Sequence, residues 1–519
     1  MKKLIKSLFY FGFITGIIAC YIVFDITRVT RVTFIVTGLM QGNVISFPAG
    51  DASRKEKMAG GMPYVISKIR ELEKKASRAN SNFFVLDCGD NFSGTAESYY
   101  SQSRVVVDSM NMMGLSAMLL GNREFDYGFE VLKFRVADAN FPILAANVRN
   151  RETGMPYSEF RDCVLLETFG KKIRIGVLGI TPPETLTDCS LKNVSTLSLI
   201  SEREAIDIFM KKAANEKVDF TIALTQADIE KDIELLDLIV KSGFNMVTAL
   251  DFKSQLNDIG RLRDTIVVPL RSMARGSEIT KVEMVFDGET KKTIECIAEI
   301  IPVPAGESEP DAECVKLISE YLRELDAIMN KVIGYARFEL KRPFNEETNL
   351  GNFITDCMRE AASTEVALEN AGSFRNDIGA GEITVGALYN AIPFNNDIVS
   401  LEISGKTLFD IINTSSARER GLLQISGGSY VYTPDGAGPK KNKIAVTSFL
   451  IASKEIELNK KYTLAVNSFL ASGQGGYPQL KDCKKIAVIN DFREVVQHFI
   501  SEKKNIEATL ENRIVRLSN

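Results

Sequence analysis

Short apolar runs rich in β-branched residues alternate with longer stretches of helical periodicity from Val32 to about Ile301. Runs of this length are typical of buried strands, and the periodic stretches between them are typical of helices. The alternation therefore predicts an α/β layer fold. The clearest predicted strands cover residues 33–36, 83–87, 173–180, 220–224 and 246–249.

The pattern changes between residues 302 and 333. Three prolines and Gly306 interrupt both periodicities in residues 302–310, and apolar side chains then recur at helical spacing from Glu313 to Ile333. A second α/β pattern begins at Gly334 and continues to the C-terminal end. We predict an N-terminal segment (1–29), a first domain (30–305), a linker helix (306–333) and a smaller second domain (334–519).

The N-terminal segment has the pattern of an export signal or a membrane anchor. Three lysines in the first six residues precede an uncharged apolar run from Leu8 to Phe24, which is marginal for a membrane span. We expect an extracytoplasmic protein, in the periplasm or at the cell surface, that is held at the membrane by this uncleaved segment. A lipoprotein signal at Cys20 is the alternative, although the apolar residues after that cysteine match it poorly.

The composition of the 519 residues narrows the possible functions. Sixty-three Lys and Arg against sixty-seven Asp and Glu give a net charge of −4, which argues against a nucleic-acid footprint. The only histidine is His498, which lies in a predicted helix, so most histidine-dependent catalysis is excluded.

The eight cysteines are scattered without a CxxC pair, which excludes a zinc ribbon or a thioredoxin motif. One or two disulfides would suit an oxidising compartment, but their pairing stays open. The candidates are Cys163, Cys189, Cys296 and Cys314.

Five segments of the first domain share a pattern in which an apolar strand ends in polar or glycine residues, where functional groups of such folds lie. They are Val36-Thr-Gly-Leu-Met-Gln-Gly-Asn43, Leu86-Asp-Cys-Gly-Asp-Asn-Phe-Ser-Gly-Thr95, Leu120-Gly-Asn-Arg-Glu-Phe-Asp-Tyr-Gly128, Leu224-Thr-Gln-Ala-Asp228 and Val247-Thr-Ala-Leu-Asp-Phe-Lys253. Together they resemble the calcineurin-like metallophosphoesterase domain of the 5'-nucleotidase family. The resemblance implies a four-layer metallophosphoesterase-like α/β sandwich followed by a smaller α/β C-terminal domain.

The same resemblance implies a two-metal centre held largely by histidines, which this chain lacks. By resemblance, Asp90 is the bridging carboxylate and Asn122 is the amide ligand. Arg123 replaces the catalytic histidine, whereas Asp126, the carboxylate that orients this histidine, is retained. The remaining ligand positions carry Leu39, Gln41, Gln226, Asp251 and Lys253.

These replacements predict a degenerate metal centre in which Asp90 and Asn122 are unoccupied remnants, so we expect no bound cofactor. Leu39 cannot ligate a metal ion, and a lysine at position 253 would repel a divalent cation. We interpret Lys253 and Arg123 as charge substitutes that pair with the remaining carboxylates. The alternative is that both basic side chains point to solvent.

The second domain departs less from the family pattern. Its segments Glu347-Thr-Asn-Leu-Gly-Asn, Asn370-Ala-Gly-Ser-Phe-Arg375, Pro393-Phe-Asn-Asn396 and Phe469-Leu-Ala-Ser-Gly-Gln-Gly-Gly476 resemble family motifs, with Gly475 in place of an aspartate. The resemblance implies that Phe394 and Phe469 stack on a nucleobase, although ordinary core packing is the alternative for both rings. It also implies ribose or phosphate contacts from Arg342, Asn370 and Arg375.

Three functional hypotheses follow. The first is a catalytically impaired pseudoenzyme of the 5'-nucleotidase family that retains nucleotide or nucleoside binding. The second is an active metal-dependent 5'-nucleotidase or nucleotide phosphohydrolase, with divalent ions in a rebuilt oxygen-rich site. The third is a purely structural envelope protein. The oxygen donors of the second hypothesis are Asp90, Asn122, Asp126, Asp251, Gln41 and Gln226.

Overall fold

The computed structural model describes residues 29–49, 57–169, 172–189, 191–250, 260–271, 275–394, 396–416, 421–433, 446–489 and 491–517. The chain divides between Tyr321 and Leu322 into two compact units. None of the helices in these ranges combines the length and apolar character that crossing a bilayer requires. The predicted N-terminal anchor lies outside the described residues.

The first unit consists of sixteen strands and eight helices in its described part, and a ninth helix crosses the division between the units. The strands are β1 (Val29–Thr37), β2 (Phe47–Ala49), β3 (Lys57–Ala59), β4 (Ser81–Asp87), β5 (Leu115–Leu119), β6 (Ile143–Leu144), β7 (Val148–Asn150), β8 (Cys163–Glu167), β9 (Arg174–Gly179), β10 (Leu197–Leu199), β11 (Phe220–Leu224), β12 (Met246–Leu250), β13 (Gly260–Leu262), β14 (Thr265–Leu270), β15 (Glu278–Asp287) and β16 (Thr293–Pro302). The helices are α1 (Met62–Arg78), α2 (Ala96–Tyr100), α3 (Arg104–Met110), α4 (Phe129–Asp138), α5 (Thr185–Asp188), α6 (Leu191–Val194), α7 (Glu202–Asn215), α8 (Ile233–Lys241) and α9 (Ala312–Met329).

Two six-stranded sheets form the centre of the first unit, in the orders β16-β15-β1-β4-β5-β6 and β13-β14-β12-β11-β9-β8. Their facing sides share one apolar core, to which β1 contributes Phe34 and β11 contributes Ile222. Helix α1 packs on β4, and α7 and α8 cover the second sheet through Phe209 and Ile239. The first unit is therefore the predicted four-layer α/β sandwich.

The sheet topology brings the predicted site segments to neighbouring strand ends. Strands β1, β4 and β5 run parallel in the first sheet, and β9, β11 and β12 run parallel in the second. Their carboxyl ends therefore meet at one edge of each sheet, where ligands bind in open α/β folds.

The second unit contains three sheets and five helices in its described part. The strands are β17 (Val332–Ala336), β18 (Val366–Glu369), β19 (Gly381–Thr384), β20 (Ile398–Ser404), β21 (Gln424–Ser426), β22 (Gly428–Tyr432), β23 (Val446–Ile451), β24 (Lys454–Glu455), β25 (Lys461–Asn467), β26 (Lys484–Ile489), β27 (Asn505–Ile506) and β28 (Ile514–Arg516). The helices are α10 (Asn349–Ala362), α11 (Val385–Ala391), α12 (Gly405–Ser416), α13 (Ser468–Ala471) and α14 (Phe492–Lys503).

The sheet orders are β19-β17-β27, β21-β18-β25-β20-β26 and β24-β23-β22-β28. The five-stranded and four-stranded sheets share a core that includes Leu401, Leu464 and Phe449. The unit is therefore of mixed α/β type, as predicted.

The helix between the two α/β patterns is shorter than its sequence pattern predicts. Helix α9 ends at Met329, whereas helical spacing continues in the sequence to Ile333. Val332 instead starts β17 and pairs with Thr384 of β19. The β-branched Val332 and Ile333 suit a strand, and their pairing with β19 ends the helical pattern.

Candidate functional site

The loops that follow β1 and β4 are held together by their backbones. The amides of Leu39 and Gln41 donate to the carbonyls of Gly89 and Asp90, at 2.7 and 3.0 Å. Leu39, Gln41 and Asp90 all adopt positive φ, at 57°, 48° and 59°. Left-handed non-glycine residues are uncommon and concentrate at functional sites. The side chain of Leu39 is buried in the core between the sheets.

The carboxylate of Asp90 is surrounded by protein donors. The amide of Asn122, oriented with its nitrogen toward Asp90, lies 2.9 and 3.2 Å from the two carboxylate oxygens. The backbone N–H of Arg123 donates to Oδ1 at 3.3 Å, and the side-chain amide of Gln226 also donates to this carboxylate. Gln226 reaches the site from β11 and donates to the carbonyl of Cys88 at 2.8 Å.

Arg123 places a positive charge beside Asp90 and Asp126. Burial raises the pKa values of Asp90 and Asp126, that of Asp126 to about 6, and the Arg123 guanidinium opposes both shifts. Asp126 accepts a short hydrogen bond from the hydroxyl of Ser93. Arg123 therefore stabilises the ionised forms of the two carboxylates.

Glu124 organises the loops beneath Asp90, and sequence reasoning missed it. It is 1% exposed and accepts hydrogen bonds at 2.7–3.3 Å from four backbone N–H groups, those of Asp90, Asn91, Phe92 and Gly121. Burial and the neighbouring Asp90 raise its pKa to about 8. The only sequence signal for Glu124 is its position inside the segment 120–128, in which the resemblance assigns roles to the neighbouring residues.

Asp87 is a second buried carboxylate that the sequence reasoning left without a role. Its oxygens accept from Thr37 at 2.8 Å, from the backbone of Gly89 at 2.8 Å and from Asn91 at 2.6 Å. Burial raises its pKa to about 6. It joins the end of β1 to the loop after β4, which fixes the backbone around Asp90.

A cavity of about 380 Å³ lies beside Gln226. Its wall combines Thr225 and Gln226 with residues from the first turns of α7 and α8, including Glu202, Arg203 and Glu234. Its volume falls in the range of small-molecule sites, and its lining carries charges of both signs. The predicted residues Asp251 and Lys253 lie outside the described residues.

In the second unit, three neighbouring strands place the predicted residues at one sheet edge. Strand β20 is antiparallel to β25, with Ile398 opposite Asn467, and β18 is parallel to β25. The start of β20 and the ends of β18 and β25 therefore lie together. Asn370 follows β18, Phe394 precedes β20, and Phe469 follows β25.

Phe469 is presented by the short helix α13. The side chain of Asn467 caps this helix by accepting from the backbone N–H of Leu470 at 2.7 Å. Phe469 is 37% exposed. Gly475 has a φ of 65°, and a Cβ there would lie 3.1 Å from the Phe469 ring, so glycine suits both the turn and the close ring contact.

Phe394 is 42% exposed, and the Arg375 guanidinium lies 5.0 Å from its ring centroid. The core-packing alternative for Phe394 and Phe469 is wrong, because both rings are partly accessible to solvent. Buried Arg493 donates to the carbonyls of Ile392 and Phe394 at 3.0 and 3.1 Å and so holds the Phe394 loop. No sequence motif marked Arg493.

Asn370 and Arg342 differ in how closely the structure associates them with this edge. The side-chain Oδ1 of Asn370 accepts from Nδ2 of Asn467 at 2.9 Å and from the Ser373 hydroxyl at 3.1 Å. Arg342 is exposed on a segment that pairs with the loop after Arg375, and its backbone N–H donates to Asp377. The structure thus groups Asn370, Arg375, Phe394 and Phe469, and gives Arg342 a neighbouring position.

The family described as 5'-nucleotidase, C-terminal domain, matches residues 327–482. The chain is 25% identical over 473 residues to a 5'-nucleotidase of Vibrio vulnificus, with 81% of this chain and 82% of that protein covered. It is also 27% identical over 482 residues to endonuclease YhcR of Bacillus subtilis, and the match covers 88% of this chain but spans only 38% of that protein's length.

Solved structures show the same fold. A 5'-nucleotidase precursor from Thermus thermophilus aligns with a TM-score of 0.64 at 23% identity, covering 94% of this chain and all of that one. The NAD nucleotidase of Haemophilus influenzae aligns with a TM-score of 0.62 at 17% identity, covering 95% and 100%. Residues 327–482 thus match the C-terminal domain of 5'-nucleotidases, and the whole chain is similar to 5'-nucleotidases in sequence and in fold.

The resemblance to the 5'-nucleotidase family implies a divalent-metal centre in the first unit, and the donors described there do not fit one well. Within the described ranges, no three His, Cys, Asp or Glu side chains form a group that could hold a metal ion. The Asp90 carboxylate is already engaged by two amides and by the Arg123 backbone N–H. A metal ion would have to displace these donors and approach the Arg123 guanidinium.

His498 lies on α14, exposed, with its Nε2 3.2 Å from Glu502 of the same helix. None of the seven cysteines in the described part of the chain forms a disulfide. The four candidates for disulfide pairing are therefore thiols, and Cys20 lies outside the described residues.

Proposed function

We propose that this 5'-nucleotidase-family protein binds a nucleoside or nucleotide through its second unit and is a catalytically impaired pseudoenzyme in its first unit. The observation that carries the proposal is the Asp90 carboxylate, which is engaged by Asn122, Gln226 and the backbone of Arg123. In a two-metal phosphoesterase the ions generate the nucleophile and clamp the phosphate. In this chain the Arg123 guanidinium lies near the carboxylates of Asp90 and Asp126.

The second unit supports ligand binding by its exposed aromatic rings. Phe394 and Phe469 would hold a base between or against their faces, since stacking tolerates any base. Arg375, already beside Phe394, would reach a phosphate or ribose oxygen, and Asn370 would meet the sugar edge. Arg342 would contribute only by moving its side chain toward this edge.

The alternative is an active metal-dependent 5'-nucleotidase or nucleotide phosphohydrolase. It is favoured by the names of the relatives, among them the Vibrio 5'-nucleotidase and an apyrase of Aedes albopictus. It requires Asp90, Asn122, Asp126, Gln41 and Gln226 to exchange their present partners for an ion such as Mg²⁺ or Ca²⁺, with Asp251 as a further predicted oxygen donor.

A metal assay and a turnover assay on the full chain separate the two hypotheses. We expect no stoichiometric transition metal after dialysis against Mn²⁺ or Zn²⁺, no release of phosphate from AMP, and adenosine binding with a Kd of roughly micromolar to millimolar. Two bound ions together with chelator-sensitive turnover would establish the alternative. If the folded protein binds neither adenosine nor AMP, the hypothesis of a purely structural envelope protein is favoured.

We also propose an extracytoplasmic location with attachment to the membrane through the N-terminal segment. The support is the apolar run from Leu8 to Phe24 behind a lysine cluster. The balanced charge of the chain gives no reason to propose nucleic acid as a ligand. Because one relative is named an endonuclease, a single-stranded oligonucleotide belongs among the ligands tested.

A further inference from the structure

We propose that Glu369 is a positioning residue that fixes the geometry of the ligand site in the second unit. The inference rests on the proposed function, since it concerns the same site. Glu369 ends β18, directly before Asn370, and is 0% exposed. It therefore cannot contact a ligand itself and must act through its neighbours.

The neighbour through which Glu369 acts is Asn467. Oε1 of Glu369 accepts from Nδ2 of Asn467 at 2.6 Å. The same nitrogen lies 2.9 Å from Oδ1 of Asn370 and 3.1 Å from Oγ of Ser373. Oδ1 of Asn467 accepts from the N–H of Leu470, and this bond caps the N-terminal end of the helix that carries Phe469.

The side-chain amide of Asn467 therefore determines the positions of two predicted ligand contacts, Asn370 and Phe469. If Asn467 rotated, it would lose the helix cap beneath Phe469 and the hydrogen bond to Asn370 together. Glu369 opposes that rotation because it accepts from the amide nitrogen and leaves the amide oxygen directed at Leu470. Glu369 thus couples the stacking ring to the polar contact on the neighbouring loop.

The environment of Glu369 favours its neutral form. Its neighbours are Asn467 on β25, Gln424 opposite it on β21, and Asn370 and Ser373 in the following turn; none of these groups carries a charge. Among the described residues, its Oε2 has no hydrogen-bond partner. Burial raises the pKa of Glu369 to about 8, although the polar groups of Ser373, Asn467 and the Asn370 backbone beside the carboxyl oppose this shift.

Ionisation should therefore disturb the site. A buried carboxylate without a cation is stabilised by admitting water, and the turn 370–373 and α13 are the elements that would open to admit it. The folded state raises the pKa of Glu369 from the ordinary value of 4.5 to about 8. The stability that neutral Glu369 contributes is therefore fully present below pH 4.5, and it is lost as the pH rises from 4.5 to about 8.

The first test needs no ligand. Hydrogen exchange of the Leu470 amide is measured in the full chain for the wild type, Glu369→Gln, Glu369→Leu and the control Glu365→Gln. Glu365 is exposed just before β18 and pairs with Lys460 at 3.2 Å. We expect roughly tenfold or faster exchange in Glu369→Leu, because the Asn467 amide loses its acceptor, and near-normal exchange in Glu369→Gln and in the control.

The second test is the pH dependence of adenosine binding, because adenosine does not titrate between pH 6 and 9. If only the neutral form is competent, the wild-type Kd should rise about tenfold from pH 7 to pH 9, as expected for a pKa near 8. Glu369→Gln should bind within about twofold of the wild type at pH 7 and show a flat profile. Glu365→Gln should retain the wild-type profile.

The outcomes separate this proposal from the proposed function. Normal Leu470 exchange in Glu369→Leu, or the same pH profile in the wild type and Glu369→Gln, would overturn the positioning role. If adenosine does not bind but exchange at Leu470 responds to Glu369, the positioning role stands and the proposed ligand is wrong. If Glu369→Leu does not fold, the pH profiles of adenosine binding by the wild type and by Glu369→Gln still test the positioning role.

Discussion

The two units differ in how they use the side chains next to their strand ends. In the first unit, Asp90 is engaged by neighbouring amides, and Glu124 is engaged by four backbone N–H groups. In the second unit, Phe394 and Phe469 remain 42% and 37% exposed above a buried hydrogen-bonded layer. The first edge is internally satisfied, whereas the second presents groups to solvent.

Under the proposed function, the site of the first unit has lost its catalytic activity while the fold is retained. A buried carboxylate must be paired or protonated, and the Arg123 guanidinium favours the ionised forms of Asp90 and Asp126. Exposed aromatic rings need no such compensation and can remain available for binding.

The largest expected effect is on stability in the first unit. Glu124→Ala should lower the free energy of unfolding by at least about 3 kcal/mol, because four buried backbone N–H groups lose their acceptor. Urea denaturation measures this loss. Glu130→Ala, at an exposed position on α4, is the control and should change stability by less than about 0.5 kcal/mol. Equal stability of the two variants would refute the role given to Glu124.

Arg123→Met tests whether the guanidinium replaces a metal ion. Asp90 and Asp126 would lose their neighbouring cation, so we expect a destabilisation of about 1–3 kcal/mol. Added Mn²⁺ should then raise the melting temperature of the variant more than that of the wild type, because a cation can fill the vacated position. A larger Mn²⁺ shift in the wild type would indicate an intact metal centre instead.

Phe469→Ala tests the open edge of the second unit. The variant should lose about 1–3 kcal/mol of adenosine binding through lost stacking, measured by calorimetry on the full chain. Phe169→Ala removes a ring that is 92% exposed in the first unit and should leave binding unchanged. If adenosine binds Phe469→Ala as tightly as the wild type, the stacking role is wrong.

The smallest expected effect is a change in the selectivity between AMP and adenosine in the variant Arg375→Gln. AMP should lose about 1 kcal/mol more binding free energy than adenosine, because only AMP loses a charge-assisted phosphate contact. Both ligands should weaken slightly, since the guanidinium also lies over Phe394. Parallel titrations with AMP and adenosine measure the difference, and equal losses for both would exclude a phosphate contact from Arg375.

Much of the comparison could be predicted from the sequence. The strand and glycine pattern predicted both α/β parts, and the motifs identified Asp90, Asn122, Phe394 and Phe469. Glu124 escaped because its role depends on backbone groups from two separate loops, which carry no side-chain signature. Arg493 escaped because it acts on carbonyls about a hundred residues away in the chain.

The sequence by itself determined which chemical groups are present: a single histidine, Leu39 and Arg123 at positions where the resemblance implies metal-centre residues, and the aromatic residues Phe394 and Phe469. The tertiary structure alone decided their environments. The exposure of Phe469 and the burial of Glu369 depend on which strands are neighbours. Solvent exposure and pKa shifts are properties of neighbours distant in sequence, and local patterns encode them only indirectly.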